Sequence, residues 1–177
     1  MQSKPRIRPM FDEMRIAERN RGLASEIAAA SPQDLLAVAV LKGSFMFAAD
    51  LLRALHGAGL APQVEFVHLS SYGAGTESSG RITVLRDIDS VVAGRDVLLI
   101  DDILESGRTL AFARDLLLGR GARRVLLAVM LEKPGKQAVP IKADFVGFTC
   151  PDLFVVGYGM DAAHRYRQLP FIGVVEG

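Results

Sequence analysis

The sequence predicts an α/β protein with a mainly parallel sheet and helices packed against it. Two short apolar runs, Leu35–Leu41 and Val97–Ile100, are typical of strands buried on both faces, as in parallel sheets. Each run is followed by a short polar loop and then by a helical pattern. Strands that alternate with helices favour a parallel sheet with right-handed crossovers. The 177 residues fit a single domain, 1–177, with length enough for a substantial core.

The composition is that of a globular protein, with 50% apolar and 23% charged residues and a formal net charge of +1. This balance gives no electrostatic footprint for nucleic acid or an anionic membrane. The apolar runs are too short to cross a bilayer, and the N-terminus lacks an apolar signal core. The single Cys150 allows no internal disulfide, and we interpret it as a packing residue. We therefore expect a cytoplasmic protein without a nucleic-acid or membrane partner.

The first third of the chain predicts a helix, a strand and a second helix. Ile16, Leu23 and Ile27 recur on one face of a helical pattern from Phe11 to Ala30, in which Gly22 is a point where the helix could break. The strand Leu35–Leu41 then leads through Lys42 and Gly43 to the next helix. Ser44 is the residue type expected at its N-cap, and the helix continues from Phe45 to His56 until Gly57 ends it.

A long polar connection divides the next two predicted strands. Val64–Leu69 is a strand pattern containing His68, which we interpret as a satisfied sheet histidine, and Ile82–Leu85 is the returning arm of a hairpin. Residues 70–80 between them are small or polar. A connection of this length in a compact domain is typical of a lid or a disordered segment.

The second half predicts one helix and several strands. Leu110–Leu118 is a helix that Gly119 or Gly121 ends, and Arg124–Leu131 is another buried strand, followed by a turn at Lys133-Pro134-Gly135. Short strands are predicted at three further places: Asp144–Phe148, Phe154–Gly157 and Ile172–Val175.

The strand Val97–Ile100 leads into the segment with the strongest functional pattern. Asp101 and Asp102 follow the strand, and a short loop, 105–109, then supplies Glu, Ser, Gly, Arg and Thr. In open α/β sheets, ligands bind beyond the carboxyl ends of strands, and the N-terminus of a helix favours an anion. The segment thus offers carboxylates for hydroxyls or a metal ion, and donors for a phosphate. The alternative is an ordinary polar loop with a solvated acid pair.

The segment resembles the signature of the type I phosphoribosyltransferases, which is an apolar strand, two acids, two apolar residues, Asp, Thr or Ser, Gly, any residue and Thr. This chain departs from it at one position, where Glu105 replaces the usual Asp. The segments 142–148, 151–161 and 166–170 are similar to purine-binding and following segments of the hypoxanthine-guanine phosphoribosyltransferases. Leu41-Lys42-Gly43 resembles that family's pyrophosphate loop, and Ser71-Tyr72 resembles its mobile lid.

The resemblance implies a type I phosphoribosyltransferase fold, with a small hood formed by the N- and C-terminal segments and a mobile lid loop. It also implies a cis Leu41–Lys42 peptide bond and a homodimer or homotetramer. The residues implied to bind phosphoribosyl pyrophosphate are Lys42, Gly43, Asp101, Asp102, Ser106, Gly107, Arg108, Thr109 and Arg167. Those implied to bind the purine are Lys142, Phe154, Val155 and Asp161. Mg²⁺ is the implied cofactor, with Asp101, Asp102 and Asp161 around it.

The reaction that the resemblance implies is transfer of a phosphoribosyl group to hypoxanthine or guanine, giving IMP or GMP and pyrophosphate for purine salvage. Glu105 is the expected catalytic base, since a glutamate is ionised at neutral pH. Its extra methylene moves the carboxylate, however, and a misplacement of about 1 Å can cost about a hundredfold in rate. The alternative function is a catalytically weak nucleotide sensor or regulator with this fold. A phospho-receiver domain also begins from an Asp-Asp strand end, but its acid pair would stand near the N-terminus.

Overall fold

The computed structural model describes residues 5–71 and 81–176. The elements in chain order are β1 (Arg6–Phe11), α1 (Glu13–Ala29), β2 (Leu36–Leu41), α2 (Phe45–Gly57), β3 (Gln63–Ser71), β4 (Ile82–Arg86), β5 (Asp96–Leu104), α3 (Arg108–Gly119), β6 (Arg124–Glu132), β7 (Phe145–Thr149), β8 (Val155–Val156) and β9 (Ile172–Glu176). No helix in these two ranges is both long and apolar enough to cross a membrane.

The main sheet has six strands in the order β4-β3-β2-β5-β6-β7. All neighbouring pairs are parallel except β3 and β4, which form an antiparallel hairpin. The central pairing sets Leu36 opposite Val97 and Ala39 opposite Ile100. The predicted α/β class, the mainly parallel sheet and the hairpin are confirmed.

The central strands are buried on both faces because helices cover both sides of the sheet. Ala37 and Ala39 of β2 pack in one core with residues of α1 and α2, such as Leu23 and Leu51. The alternate residues of the same strand pack on the opposite face with α3 residues, including Leu110, Ala113 and Leu117. Side chains of successive strand residues point to opposite faces, so a strand between two layers of helices must be apolar throughout.

A second sheet has three antiparallel strands in the order β1-β9-β8, so it joins both ends of the described chain. The helix predicted from Phe11 was wrong at its start, because Arg6–Phe11 is a strand that pairs with β9. Asp12 is the N-cap residue, and its carboxylate accepts a hydrogen bond of 2.9 Å from the Arg15 N–H. Sequence reasoning misses strand β1 because the segment is short and mixes two arginines and a proline with its apolar residues, and its pairing with β9 is made by the backbone.

The structure adds detail to the predicted α1 and α2 and moves the boundary between β5 and α3. Helix α1 runs through Gly22 without a break, since buried residues on both sides of that glycine hold it against the core. Ser44 occupies the N-cap position of α2, but its hydroxyl donates to the Val40 carbonyl at 2.6 Å rather than capping the helix. Strand β5 extends beyond the acid pair to Leu104, and α3 begins at Arg108 instead of Leu110.

The amino ends of β5 and β6 are joined by an ion-pair network around Asp96. The Asp96 side chain is fully buried and accepts hydrogen bonds from Arg123, Arg124 and the Gln33 N–H. Burial alone would raise the pKa of this carboxyl, but the hydrogen bonds from Arg123, Gln33 and Arg124 outweigh it and lower the pKa. The ionised carboxylate therefore stabilises the folded state.

Replacement of Asp96 by Asn is expected to lower the free energy of unfolding by about 2 kcal/mol at pH 7, as hydrogen bonds to a charged group are lost. The lowered pKa means that this stabilisation is present above the unfolded-state pKa, near ~3.9, and is lost as pH falls through the folded-state value. Urea unfolding at a series of pH values measures both effects. Asp115→Asn, at an exposed pair with Arg114, is the control. An equal loss at all pH values would contradict the assignment.

Candidate active site

The candidate site lies where β2, β3 and β5 end at the same edge of the sheet. Parallel strands end side by side, so the segments that follow them meet there. Together they enclose a cavity of about 240 Å³. Its lining includes seven predicted site residues: Gly43, Asp101, Asp102, Glu105, Ser106, Gly107 and Thr109. These residues had been predicted from two segments far apart in the sequence.

Asp101 and Asp102 form a buried acid pair at the base of this cavity. Asp101 is 8% exposed, and its Oδ1 accepts a hydrogen bond of 2.9 Å from the Asp102 N–H. Burial and the adjacent Asp102 charge raise the pKa of Asp101 well above its ordinary value. Burial also raises the pKa of Asp102, although the positive charge of Arg167 acts in the opposite direction. A bound cation or hydroxyl donor would relieve this repulsion, so the pair suits either partner.

The loop after β2 lies directly against Asp102. The Leu41–Lys42 peptide bond is cis, which confirms the expectation from the family resemblance. A Cβ added at Gly43 would lie 2.6 Å from the Asp102 Cγ and would overlap the carboxylate. On its other side, the Gly43 carbonyl faces Gly159, which has a φ of +100° and no room for a side chain. Gly43 thus allows the loop after β2 to lie against Asp102, and Gly159 allows the segment after β8 to lie against that loop.

The loop after β5 turns into α3 at Gly107. This residue has a φ of +77°, and a side chain there would collide with Ile141 and lie 3.3 Å from Val139. The Ser106 carbonyl accepts a hydrogen bond of 2.8 Å from the Ala138 N–H. Arg108, the first residue of α3, is exposed. The segment 138–141 thereby holds the loop in position at the N-terminus of a helix, where an anion is favoured.

Arg167 connects the chain after β8 to the acid pair. Its guanidinium donates to the Gly159 carbonyl at 2.6 Å and forms an ion pair of 2.7 Å with Asp161. The other Asp161 oxygen accepts a hydrogen bond of 2.7 Å from the His164 N–H. Arg167 is thus oriented by two groups of its own loop while its charge acts on Asp102.

Glu105 has a partner that sequence reasoning missed. Lys133 lies just after β6, and its Nζ is 3.4 Å from the Glu105 Oε1. The Lys133 side chain is only 8% exposed, whereas that of Glu105 is 48% exposed. The sequence does carry a signal, since Lys133 directly follows a buried strand, but its position next to Pro134 and Gly135 predicts only a turn.

The predicted purine-binding residues do not line the cavity around the acid pair. Lys142 is exposed just before β7, and Phe154 is 59% exposed just before β8. Val155 is buried in β8, where it pairs with Val174.

Lys42, predicted to bind the pyrophosphate, is exposed beside the cavity. Of the two predicted lid residues, Ser71 ends β3, and Tyr72 lies outside the described residues.

Of the three carboxylates predicted around magnesium, Asp101 and Asp102 line the cavity together and Asp161 does not line it. Within residues 5–71 and 81–176, no group of three or more His, Cys, Asp or Glu side chains could hold a metal. Both Asp161 oxygens are engaged by Arg167 and His164. Asp101 and Asp102 offer oxygen ligands, and Mg²⁺ commonly takes one or two carboxylates together with substrate phosphates and waters.

A larger cavity, of about 820 Å³, lies between α1 and α2 and holds none of the predicted site residues. Its wall includes a hydrogen-bond chain in which Asn20 Nδ2 donates to the Tyr158 hydroxyl at 2.8 Å and this hydroxyl donates to Asp50 at 2.7 Å. Burial and the Asp50 carboxylate raise the pKa of Tyr158, so its hydroxyl stays protonated. The candidate active site is the smaller cavity, because the acid pair lies there.

Tyr158→Phe is expected to lower the free energy of unfolding by about 1–3 kcal/mol, because it leaves a buried donor of Asn20 without a partner. The Asn20 Oδ1 already has none within the described part of the chain. Thermal and urea unfolding measure the loss. Tyr166→Phe, at a partly exposed residue, is the matched control. Equal stability of Tyr158→Phe and the unmodified protein would contradict a stabilising role for this chain.

Comparison with known proteins agrees with this geometry. Residues 10–163 match the phosphoribosyl transferase domain family. The chain is 43% identical over 164 residues to the hypoxanthine-guanine phosphoribosyltransferase of Bacillus subtilis, covering 93% of this chain and 88% of that one. It is 45% identical over 162 residues to the bifunctional protein TilS/HprT of Listeria innocua, covering 92% of this chain but only 24% of that longer protein. A hypoxanthine phosphoribosyltransferase structure from Staphylococcus aureus superposes with a TM-score of 0.89 at 36% identity, covering 95% and 90% of the two chains.

The parallel sheet, the acid pair at the end of β5 and the loop leading into α3 define a type I phosphoribosyltransferase. This confirms the fold class expected from the sequence. With the identity to curated relatives over most of its length, the chain belongs to the hypoxanthine-guanine phosphoribosyltransferases, the phosphoribosyl-transferring enzymes of purine salvage. The family resemblance seen in the sequence is confirmed as well.

Proposed function

We propose that this protein transfers the 5-phosphoribosyl group from phosphoribosyl pyrophosphate to hypoxanthine, guanine or both, giving IMP or GMP and pyrophosphate. The observation that carries this proposal is the acid pair of Asp101 and Asp102, enclosed by Gly43 and by the loop before α3 in one cavity. Carboxylates that suit ribose hydroxyls or a cation lie there beside a helix N-terminus that suits a phosphate. The donor carries both kinds of group.

Three parts of the donor, its ribose hydroxyls, its 5-phosphate and its pyrophosphate, would bind to different residues along the cavity. The residues that we assign to it are Lys42, Gly43, Asp101, Asp102, Ser106, Gly107, Arg108, Thr109 and Arg167. The acid pair would hold the ribose hydroxyls, and the backbone around Gly107 would hold the 5-phosphate at the start of α3. Lys42 and Gly43 would present backbone N–H groups to the pyrophosphate, with Arg167 as a forked cation nearby.

The purine would lie toward the exposed aromatic ring at the start of β8. We assign it to Phe154 for stacking, Lys142 for donation to the exocyclic oxygen, Val155 for backbone hydrogen bonding and Asp161 near the base edge. The 59% exposure of Phe154 leaves ring surface free for stacking. Lys142, exposed just before β7, carries a donor-only ammonium group.

In the reaction, a purine ring nitrogen would form a bond to the anomeric carbon as the bond from that carbon to pyrophosphate breaks. Glu105 would accept the proton that the purine nitrogen loses. Pyrophosphate would leave with the electron pair of the broken bond. The Glu105 carboxylate lines the same cavity as the acid pair and is half exposed toward solvent. The lid beginning at Ser71 and Tyr72 would close over the site and exclude water.

Magnesium would be held by Asp101 and Asp102 together with oxygens of the donor, with Asp161 linked through water. When bound, it neutralises charge on the leaving pyrophosphate. Burial raises the pKa of both aspartates, and the Asp102 charge raises that of Asp101 further, so a cation that compensates these charges would favour the ionised pair.

The test is to mix the purified protein with phosphoribosyl pyrophosphate, Mg²⁺ and each of hypoxanthine, guanine, xanthine and adenine, and to follow nucleotide formation. Rapid turnover with hypoxanthine or guanine, and none with adenine, is the expected result. Saturable binding of the donor without turnover for any base would overturn the proposal and favour a nucleotide sensor.

We further propose that residues 1–177 act as one cytoplasmic domain that assembles as a homodimer or homotetramer, with the β1-β9-β8 sheet as the hood. Enzymes of this family usually form such assemblies. The molar mass in solution, measured by light scattering, tests the assembly. A monomer at micromolar concentration would contradict it.

A further inference from the structure

Lys133 is a buried lysine with one ion-pair partner in the described ranges. The residue is 6% exposed, and Glu105 is the carboxylate within reach of its Nζ, at 3.4 Å. Lysine is almost never fully buried unless it is paired, because removing its charge from water is costly. The burial of Lys133 next to Glu105 therefore indicates that its positive charge acts on the Glu105 carboxylate.

The strand register explains why these two residues meet. Strands β5 and β6 are parallel, with Leu104 opposite Glu132, so the next residue of each strand lies at the same edge. The Lys133 N–H donates to the Leu104 carbonyl at 2.9 Å, and the Lys133 carbonyl accepts from Gln137 at 3.2 Å. The backbone of Lys133 is thus fixed on both sides, directly beside the residue that precedes Glu105.

The surrounding charges single out Lys133 as the fixed cation. Lys136 is close enough for the Glu105 charge to contribute to its raised pKa, but it pairs with Asp152 at 2.5 Å, and its side chain is 41% exposed. Cys150 is a further titratable group near Lys133, and burial raises the pKa of its thiol, so it stays neutral. Of the two lysines, only Lys133 is both buried and in contact with Glu105.

We propose that Lys133 is a positioning residue that holds the Glu105 carboxylate where the purine proton is accepted, and that this contact accommodates glutamate where the family usually has aspartate. An aspartate at 105 would withdraw the carboxylate by one carbon–carbon bond, about 1.5 Å. From 3.4 Å, that withdrawal places it beyond hydrogen-bond reach of Lys133. The glutamate and the lysine therefore match each other in length. This inference rests on the proposed function of Glu105.

The test is steady-state kinetics of Lys133→Met, which keeps the length of the side chain and removes its charge. We expect kcat to fall about tenfold, because the Glu105 carboxylate without its ion-pair partner spends less time where it can accept the purine proton. KM for phosphoribosyl pyrophosphate should change by less than about twofold. Lys133→Arg, which keeps a cation, should recover most of the lost kcat. Lys133→Gln serves in place of Lys133→Met if that variant does not fold. Lys136→Met is the matched control and should leave kcat unchanged.

A double-mutant cycle with Glu105→Gln separates positioning from a structural role. If Lys133 acts through the carboxylate, Lys133→Met should change the residual rate of Glu105→Gln by less than about twofold, because residues that act as a unit are not additive. An unchanged kcat in Lys133→Met, or an equal fall in both backgrounds, would overturn this inference alone. Absence of transfer by the unmodified protein, or full activity of Glu105→Gln, would instead overturn the proposed function on which it rests.

Discussion

Glu105→Gln is expected to lower kcat by about 10²–10⁴-fold, the contribution usual for a general base, while the affinity for phosphoribosyl pyrophosphate stays within about twofold. The amide has the shape of the carboxylate and can still accept a hydrogen bond from Lys133, but it cannot take a proton from the purine. Donor binding should persist because the acid pair and the α3 N-terminus are untouched. Steady-state turnover and calorimetric titration of the donor measure the two quantities.

The control for this change is Glu18→Gln, at an exposed glutamate of α1. It removes the same charge from the protein and should leave turnover as it is. Unchanged turnover in Glu105→Gln would refute the role of Glu105 as base. A parallel loss of donor binding would show that Glu105 holds the donor instead of serving the proton transfer.

Gly43→Ala is expected to lower kcat/KM for phosphoribosyl pyrophosphate by about a hundredfold or more. The new Cβ would overlap the Asp102 carboxylate, so either that side chain or the loop after β2 must move. A displacement of about 1 Å at a reacting centre can cost about a hundredfold. The Gly43 carbonyl also lies against Gly159, which leaves the loop little freedom to retreat. Initial rates over a range of donor concentrations, with a thermal unfolding curve, measure the effect.

Gly119→Ala is the matched control, because a Cβ at this last residue of α3 would meet nothing within 4 Å. It should leave kcat/KM unchanged and could add slightly to stability, since alanine favours a helix by up to about 1 kcal/mol over glycine. Equal kcat/KM for Gly43→Ala and the unmodified protein would show that the approach of this loop to Asp102 is not required for donor use.

Much of the site could be predicted because its parts are contiguous in sequence. The segment from Asp101 to Thr109 runs through the end of β5, its loop and the first turn of α3, so one motif contains both the carboxylates and the anion-binding turn. The apolar runs of β2 and β5 likewise marked the sheet centre, since burial on both faces leaves no polar position. In these segments, the residues that the local sequence pattern predicts to be buried are the ones that the tertiary structure buries.

Strand β1 and Lys133 could not be predicted in the same way. Arg6–Phe11 is too short and too mixed in composition to identify as a strand from its sequence, and it becomes one because β9, far along the chain, offers it a backbone partner. The sequence around Lys133 predicts only a turn. The pairing of β6 with β5 places the Lys133 ammonium beside Glu105. Both depend on pairings between residues that are distant in sequence.

The sequence by itself therefore determined the α/β class, the family and the identity of the acid pair and its loop. Only the tertiary structure decided which groups contact them: Gly43 against Asp102, Arg167 between Gly159 and Asp161, and Lys133 against Glu105. The physical reason is that a local pattern specifies burial and turn geometry within one segment. The distance between two segments is set by strand register and by the packing of the core between them.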